Sequence, residues 1–372
     1  MKHLLSKASF HMIALLGLST GIAHAQSSVT LYGAADDGLS YANNQGGKSS
    51  LQAVSGMPTG SRWGLTGVED LGGDLKTIFT LENGFDLNTG ELGQGGREFG
   101  RQAFMGLVGR FGTLTLGRQY DLVVDYVQPL AANGVWGGAY FSHAEDVDNI
   151  NNSFVVDRSI KFASADYGGF RFSGMYSFGG VPGQYGENQV WSAAAGYDRG
   201  PLHIGGAYLD IRNPETAVQG NQNTPTFTNV IYGNYVGVAT SQKIAALGAA
   251  YTLGKLKLLG NVSGVVFKDG SDRQDVSFVT AEAGAGWQIT PATLVAADYG
   301  YVTGKVDATG QHPRYHQFNL FSSYALSART TVYALAVYQL ALGGAEQAQI
   351  TGFNASSTNR QVALRAGLQH VF

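Results

Sequence analysis

Apolar and polar residues trade places along this chain with a period of two, in segment after segment. Phe170, Phe172, Tyr176 and Phe178 fall on one face, while Arg171, Ser173 and Ser177 fall on the other. Phe318, Leu320, Tyr324 and Leu326 likewise oppose Gln317, Asn319 and Ser323. Near the C-terminus Val362, Leu364, Ala366, Leu368 and Phe372 oppose Gln361, Arg365 and Gln369. A strand turns successive side chains to opposite faces, so the pattern predicts strands with one apolar and one wet side. Sixteen candidate strands can be counted, although Val332 to Leu340 alternates poorly and leaves its register open.

A soluble sandwich would alternate too, so the connections have to decide. Short ones (Glu69 to Asp74, Arg110 to Thr113, Asp166 to Gly169, Asp198 to Pro201, Gly254 to Lys255, Thr290 to Ala292, Ser327 to Arg329) alternate with longer polar ones. An even number of antiparallel strands, with tight turns at one end and long loops at the other, is the plan of bacterial outer-membrane barrels. Strands running toward the short-turn end finish on Phe162, Tyr197, Tyr251, Trp287, Tyr324 and Phe372, a row that reads as an interfacial aromatic girdle. The expected fold is therefore all-β: a 16-stranded antiparallel transmembrane barrel with short periplasmic turns and long extracellular loops. Inside a bilayer an unpaired backbone group costs several kcal/mol, so strands can span only as a closed cylinder. A cylinder of that width is too wide for its own side chains to fill, and an aqueous channel remains.

The beginning of the sequence sets the compartment. Lys2 and Lys7 precede an apolar run from Phe10 to Leu18 that ends at Ala23-His24-Ala25. This is the signature of a secretory signal peptide, residues 1–25, cleaved to leave a barrel domain over 26–372. The run is too short for a spanning helix, which needs about 20 apolar residues. Charged residues make up only 14% of the chain and there are 53 Gly. No Cys is present, so stability in an exported chain has to come from something other than disulfides, and barrel closure supplies it. The net charge of −3 becomes two units more negative without Lys2 and Lys7, which gives no footprint for a nucleic-acid partner.

Several stretches resemble the general porins of Gram-negative bacteria, in particular those of beta-proteobacteria and neisseriae. They are Ser28-Val29-Thr30-Leu31-Tyr32-Gly33, Ser61-Arg62-Trp63-Gly64-Leu65 and Glu69-Asp70-Leu71-Gly72-Gly73. Leu81-Glu82-Asn83-Gly84-Phe85-Asp86, Phe99-Gly100-Arg101-Gln102-Ala103-Phe104 and Leu116-Gly117-Arg118-Gln119-Tyr120-Asp121 continue the match. The resemblance implies a general diffusion channel in the Gram-negative outer membrane that passes ions and small hydrophilic solutes. It implies a homotrimer, each barrel narrowed by an inward-folded third loop, here about Leu122 to Val156. The surroundings would be membrane lipid and lipopolysaccharide, and the terminal Phe372 would help the barrel assembly machinery recognise the chain. A substrate-specific porin is the alternative.

In such porins, wall arginines face acidic side chains on the third loop. Matching motifs place Arg62 and Arg101 on the wall. Alternation supports Arg62, which shares a face with Gly64 and Thr66, whereas Arg101 sits with Ala103 and Met105 and rests on the resemblance. Arg158 and Lys161 compete for a third wall position; alternation sets Arg158 beside Ile160 and Phe162, which favours Lys161 as the lumen-facing base. Arg118 is a further candidate. On the loop the acidic candidates are Asp125, Glu145, Asp146 and Asp148. Several enterobacterial relatives carry a Pro-Glu-Phe-Gly-Gly tip in this loop, near where this chain has Gly134-Val135-Trp136-Gly137-Gly138, which leaves the site of the acidic side open. Opposed charges across a narrow passage would orient water and dipolar solutes, and an acidic loop leans toward cations.

The residues argue against chemistry on the solute. His3, His11 and His24 leave with the leader, and His312 and His316 lack the helix that their metal-like spacing requires because Pro313 intervenes. No catalytic site, metal site or cofactor is expected, and a receptor-type transporter would need a wider barrel with a plug.

Overall fold

A computed structural model describes residues 28–218 and 229–372. The leader expected at residues 1–25 lies outside the described residues. The chain runs through β1 (Ser28–Gln45), β2 (Lys48–Ser55), β3 (Arg62–Gly72), β4 (Leu75–Gly84), β5 (Gln102–Gly109) and β6 (Gly112–Gln119). After a long segment come β7 (Val156–Ser164), β8 (Phe170–Ser177), β9 (Val190–Arg199), β10 (Leu202–Arg212) and β11 (Ser241–Leu253). The last are β12 (Leu256–Ser271), β13 (Gln274–Gln288), β14 (Thr293–Val306), β15 (Arg314–Ala325), β16 (Thr330–Leu342) and β17 (Arg360–Val371).

From β3 to β17 each segment pairs antiparallel with the next, and β17 returns to pair with β1 from Ala34↔Val371 to Ala42↔Ala363. Both halves of the long β1 are used on its other side, Asp37 to Gln45 by β2 and Ser28 to Ala34 by β3. β2 and β3 thus share one place in the wall, so the 17 segments fill sixteen strand positions of a closed barrel. All seven short turns fall between the expected strands. Gly254 at φ 59° opens one of them, a conformation that a Cβ would strain. Not every connection at the opposite end is long: Gly46-Gly47 and Asp272-Arg273 are two-residue turns with all four φ angles positive.

The alternation is inside out relative to a soluble protein. On β15, Phe318 and Leu320 are 51% and 60% exposed, while Gln317 and Asn319 are 6% and 2%. An apolar skin over a polar interior requires lipid outside and water or polar packing within. β16 breaks the pattern for a local reason. Its inner residues Tyr333, Leu335 and Val337 are buried beneath Tyr140, Phe141 and Phe353, so both faces are apolar.

The segment from Tyr120 to Val155 folds into the barrel between β6 and β7. Asp121 starts it by capping the short helix Leu122–Tyr126, accepting from Val123 N at 2.7 Å and from Val124 N. Leu122, Val123, Val127, Ile150 and Phe154 then bury against inner-wall residues such as Leu209, Ile244 and Val265. Trp136 lies against β13 at Gly284 and Gly286, where a Cβ on Gly286 would come within 2.6 Å of the indole. The loop is therefore packed against the β9–β17 side and leaves the β3–β7 side of the lumen to solvent.

Candidate functional site

The open side carries the charges. Arg62 on β3, Glu82 on β4 and Arg101 just before β5 meet at one point: Arg101 Nε lies 2.8 Å from Glu82 Oε1 and Arg62 Nε 3.5 Å from Glu82 Oε2. Tyr120 Oη donates to Glu82 Oε1 at 2.9 Å, and Tyr32 Oη to Oε2 at 2.9 Å. Arg101 Nη2 also donates to Tyr120 Oη at 2.8 Å, with its guanidinium 5.8 Å from that ring centre. Strand alternation would send Arg101 outward. It does not, because Arg101 N donates to Glu82 O while Gln102 pairs with the same Glu82. Two residues against one is the count of a bulge, and the bend re-aims the side chain.

Beside this cluster is a cavity of about 760 Å³, lined by Arg62, Glu82, Arg101, Tyr120 and by Gln128 and Asn133 of the inward loop. A second, of about 560 Å³, opens toward the short turns between Asp125, Pro129, Arg171, His203 and Lys257. Lys161 ties the loop to the wall, donating to Asp125 Oδ2 at 2.8 Å and to Tyr120 O at 3.0 Å. Burial pushes the Asp125 carboxyl up, and Lys161 opposes that.

Two basic candidates lie elsewhere. Arg118 shares the outward face of Leu114 and Leu116; it binds Asp157 Oδ1 at 2.6 Å and Gly100 O at 2.6 Å. Arg158, at φ 50° where β7 is bulged against β6, is exposed and lines neither cavity. Lys161, by contrast, reaches the inward loop through Asp125.

Three acidic candidates also lie away from the cavities. Glu145, Asp146 and Asp148 are buried between the loop and the inner wall and border neither cavity. His143 is wedged there, Nδ1 2.7 Å from Asp148 Oδ2 and Nε2 2.8 Å from Glu282 Oε2 on β13. Burial disfavours the imidazolium, but Asp148 and Glu282 outweigh it and hold His143 well above its ordinary value. Burial also works to raise Asp148, yet the His143 charge keeps it below the usual carboxylate range. Glu145 is pushed up to about 8 by burial and then by Asp146; Asp146 is pushed to about 7 by burial and then by Asp148. His143 and Asp148 fasten the loop to Glu282 and Ser263 of the wall, and Asp146 braces the loop internally through Asn151 and Ser153.

The sequence reading missed Glu82, Glu282 and the pair Asp36 and Arg365 as site residues. Glu82 had a signal, since alternation puts it opposite Leu81 on the wet face. Phe372 is outward and half exposed, and exchanges both backbone hydrogen bonds with Gly33 at the closure of the barrel.

The sequence profile of the Gram-negative porin family matches residues 12–340. The chain belongs to that family. An outer membrane porin protein of Bordetella pertussis is 29% identical over 93% of this chain and 98% of its own length. Outer membrane porin protein 32 of Delftia acidovorans is 28% identical over 98% and 100%. Among solved structures, an anion-selective porin from Comamonas acidovorans shares the fold with a TM-score of 0.77, at 24% identity over 93% of this chain and all of that one. This porin is accordingly an integral β-barrel of the Gram-negative outer membrane and a diffusion channel, as the resemblance implied.

Proposed function

We propose that solutes cross along the β3–β7 wall, between Arg62, Arg101 and Lys161 on one side and the inward loop on the other. The observation that carries this reading is the pairing of two guanidiniums with one carboxylate, Glu82, beside the open cavity. The cluster itself is left with one positive charge, while Asp86 and Glu91 also line the cavity. Lys161 and Asp125 offset each other, and Glu145, Asp146 and Asp148 face the barrel wall instead of the passage. With the three loop carboxylates withdrawn, the lean toward cations drawn from an acidic loop gives way to a weak preference for anions set at the Arg62 and Arg101 cluster, in keeping with the anion-selective porin of similar fold.

No bond is made or broken in this transport. Fixed charges concentrate counter-ions in a low-dielectric throat, and packed loop residues set the size limit. A homotrimer is the assembly we propose, in keeping with a solved trimeric porin from Vibrio cholerae that shares the fold. The Phe372 ring would be read by the barrel assembly machinery, and lipid and lipopolysaccharide would cover the apolar skin.

Reversal potentials in a salt gradient test the reading. The wild-type channel should favour anions, and R62Q/R101Q should shift the potential toward cations. The shift should shrink as salt rises, because the screening length falls from about 10 Å at 0.1 M to about 3 Å at 1 M. An unchanged potential in the double variant would remove these residues from the passage.

A further inference from the structure

The inner wall beneath the inward loop holds a small polar pocket that the passage does not use. Asp298 on β14 and Asn319 on β15 stand opposite each other in the ladder, and Asn319 Nδ2 donates to Asp298 Oδ2 at 2.8 Å. Their other oxygens, Asp298 Oδ1 and Asn319 Oδ1, are buried and have no hydrogen-bond donor among the described residues. Both side chains line a cavity of about 10 Å³, bordered on the loop side by Phe141, Ser142 and His143 and on the wall by Gln317. That is room for one particle the size of a water molecule.

Charge decides what the particle is. Asp148 and Glu282 share the His143 imidazolium between them, whereas Asp298 makes no ion pair among the described residues. A carboxylate buried without a counter-charge is strongly destabilising, and two lone acceptor oxygens side by side call for a cation. We propose that this pocket binds a single sodium ion, held by Asp298 Oδ1 and Asn319 Oδ1. One unpaired carboxylate is matched by one positive charge. Calcium takes about six to eight oxygens and magnesium keeps several waters, for which the pocket has neither the ligands nor the space. The ion would tie β14 to β15 directly under Ser142 and His143, and so add a second charged fastening beneath the loop. It lies on the sealed side of the barrel and does not depend on the route along Arg62 and Arg101.

Thermal melting of the detergent-solubilised porin, followed by β-sheet circular dichroism, tests this in sodium chloride and in choline chloride at equal ionic strength, since choline is too large for the cavity. Sodium should raise the midpoint by about 2 °C or more, with a concentration dependence that saturates. D298N should melt at the same temperature in both salts, and R62Q/R101Q should keep the wild-type difference. N319A retains the carboxylate and should need about tenfold more sodium for the same rise, which keeps the test open should D298N fail to assemble. Equal midpoints for the wild type in the two salts, the result if a proton on Asp298 or a water fills the pocket, would overturn the proposal. A sodium response undiminished in D298N or N319A, or a rise produced by millimolar calcium and not by sodium, would do the same.

Discussion

Arg365→Ala should destabilise the barrel by about 3–5 kcal/mol, the usual penalty for removing one member of a buried pair. Both Arg365 and Asp36 are 0% exposed. The guanidinium donates to Asp36 Oδ1 at 3.0 Å, Val54 O at 2.8 Å, Ser40 Oγ at 2.9 Å and Tyr333 Oη at 2.8 Å. It therefore joins β17 to β1 across the closure and also reaches β2 and β16. Alanine would leave the Asp36 carboxylate in the wall without its cation, along with a carbonyl lacking its donor. Heating the detergent-solubilised protein while following β-sheet circular dichroism checks this. The variant should melt several degrees lower, and D36N/R365M should recover part of the loss because no lone charge remains. Equal melting of wild type and R365A would show that the pair does not hold the closure.

His143→Ala should release the inward loop while leaving the barrel closed. The imidazole is the bridge between Asp148 on the loop and Glu282 on β13, and Glu282 also accepts from Ala132 N at 2.7 Å. Gln317 holds the loop independently through Tyr140 O and Ser142 O, and Tyr140 Oη reaches Ser40 at 2.9 Å, so release should be confined to the part near His143. Amide exchange over Ala144 to Ser153 should speed up by about tenfold or more, with fluctuating channel current alongside.

The same fastening has a pH dependence with a definite sign. His143, Glu145, Asp146 and Asp121 all have folded values above their ordinary ones, so the folded loop binds the extra protons. Their contribution is present at lower pH and is lost as pH rises through those folded values, about 6 for Asp121, 7 for Asp146 and 8 for Glu145. Asp148 is depressed, so its contribution is lost only as pH falls below the ordinary carboxylate range. The loop should be most firmly fastened near pH 4 and loosen progressively as pH rises to about 8. Amide exchange corrected for intrinsic rates would contradict this if protection held constant to pH 9 and was lost near pH 5.

The strands were legible in the sequence wherever the two faces meet different solvents. β8, β15 and β17 show it, because lipid demands apolar residues outside and the lumen tolerates polar ones inside. The poor alternation of β16 has the same origin, since its inner face meets Tyr140 and Phe353 in place of water. What pattern cannot show is contact at long range. Arg365 reads simply as a wet-face residue, yet its partner Asp36 lies 329 positions away. Glu145, Asp146 and Asp148 look like solvated loop charges until the loop is folded against β13, whose Glu282 is 139 positions from His143. Arg101 defied its own alternation because a bulge is a local count of residues, which a period-two reading passes over.

The central claim is that the aqueous route runs along β3–β7 and that the inward loop seals the opposite wall. The chain has no cysteine, so single cysteines can be placed at will. Gln102→Cys lies at the cavity beside Arg101, while Asn319→Cys lies on the inner face of β15, buried at 2% exposure. With a charged thiol reagent added to the open channel, the account predicts a rapid fall in current for Gln102→Cys and none for Asn319→Cys. Block at Asn319→Cys with Gln102→Cys unaffected would put the pore on the other side of the loop.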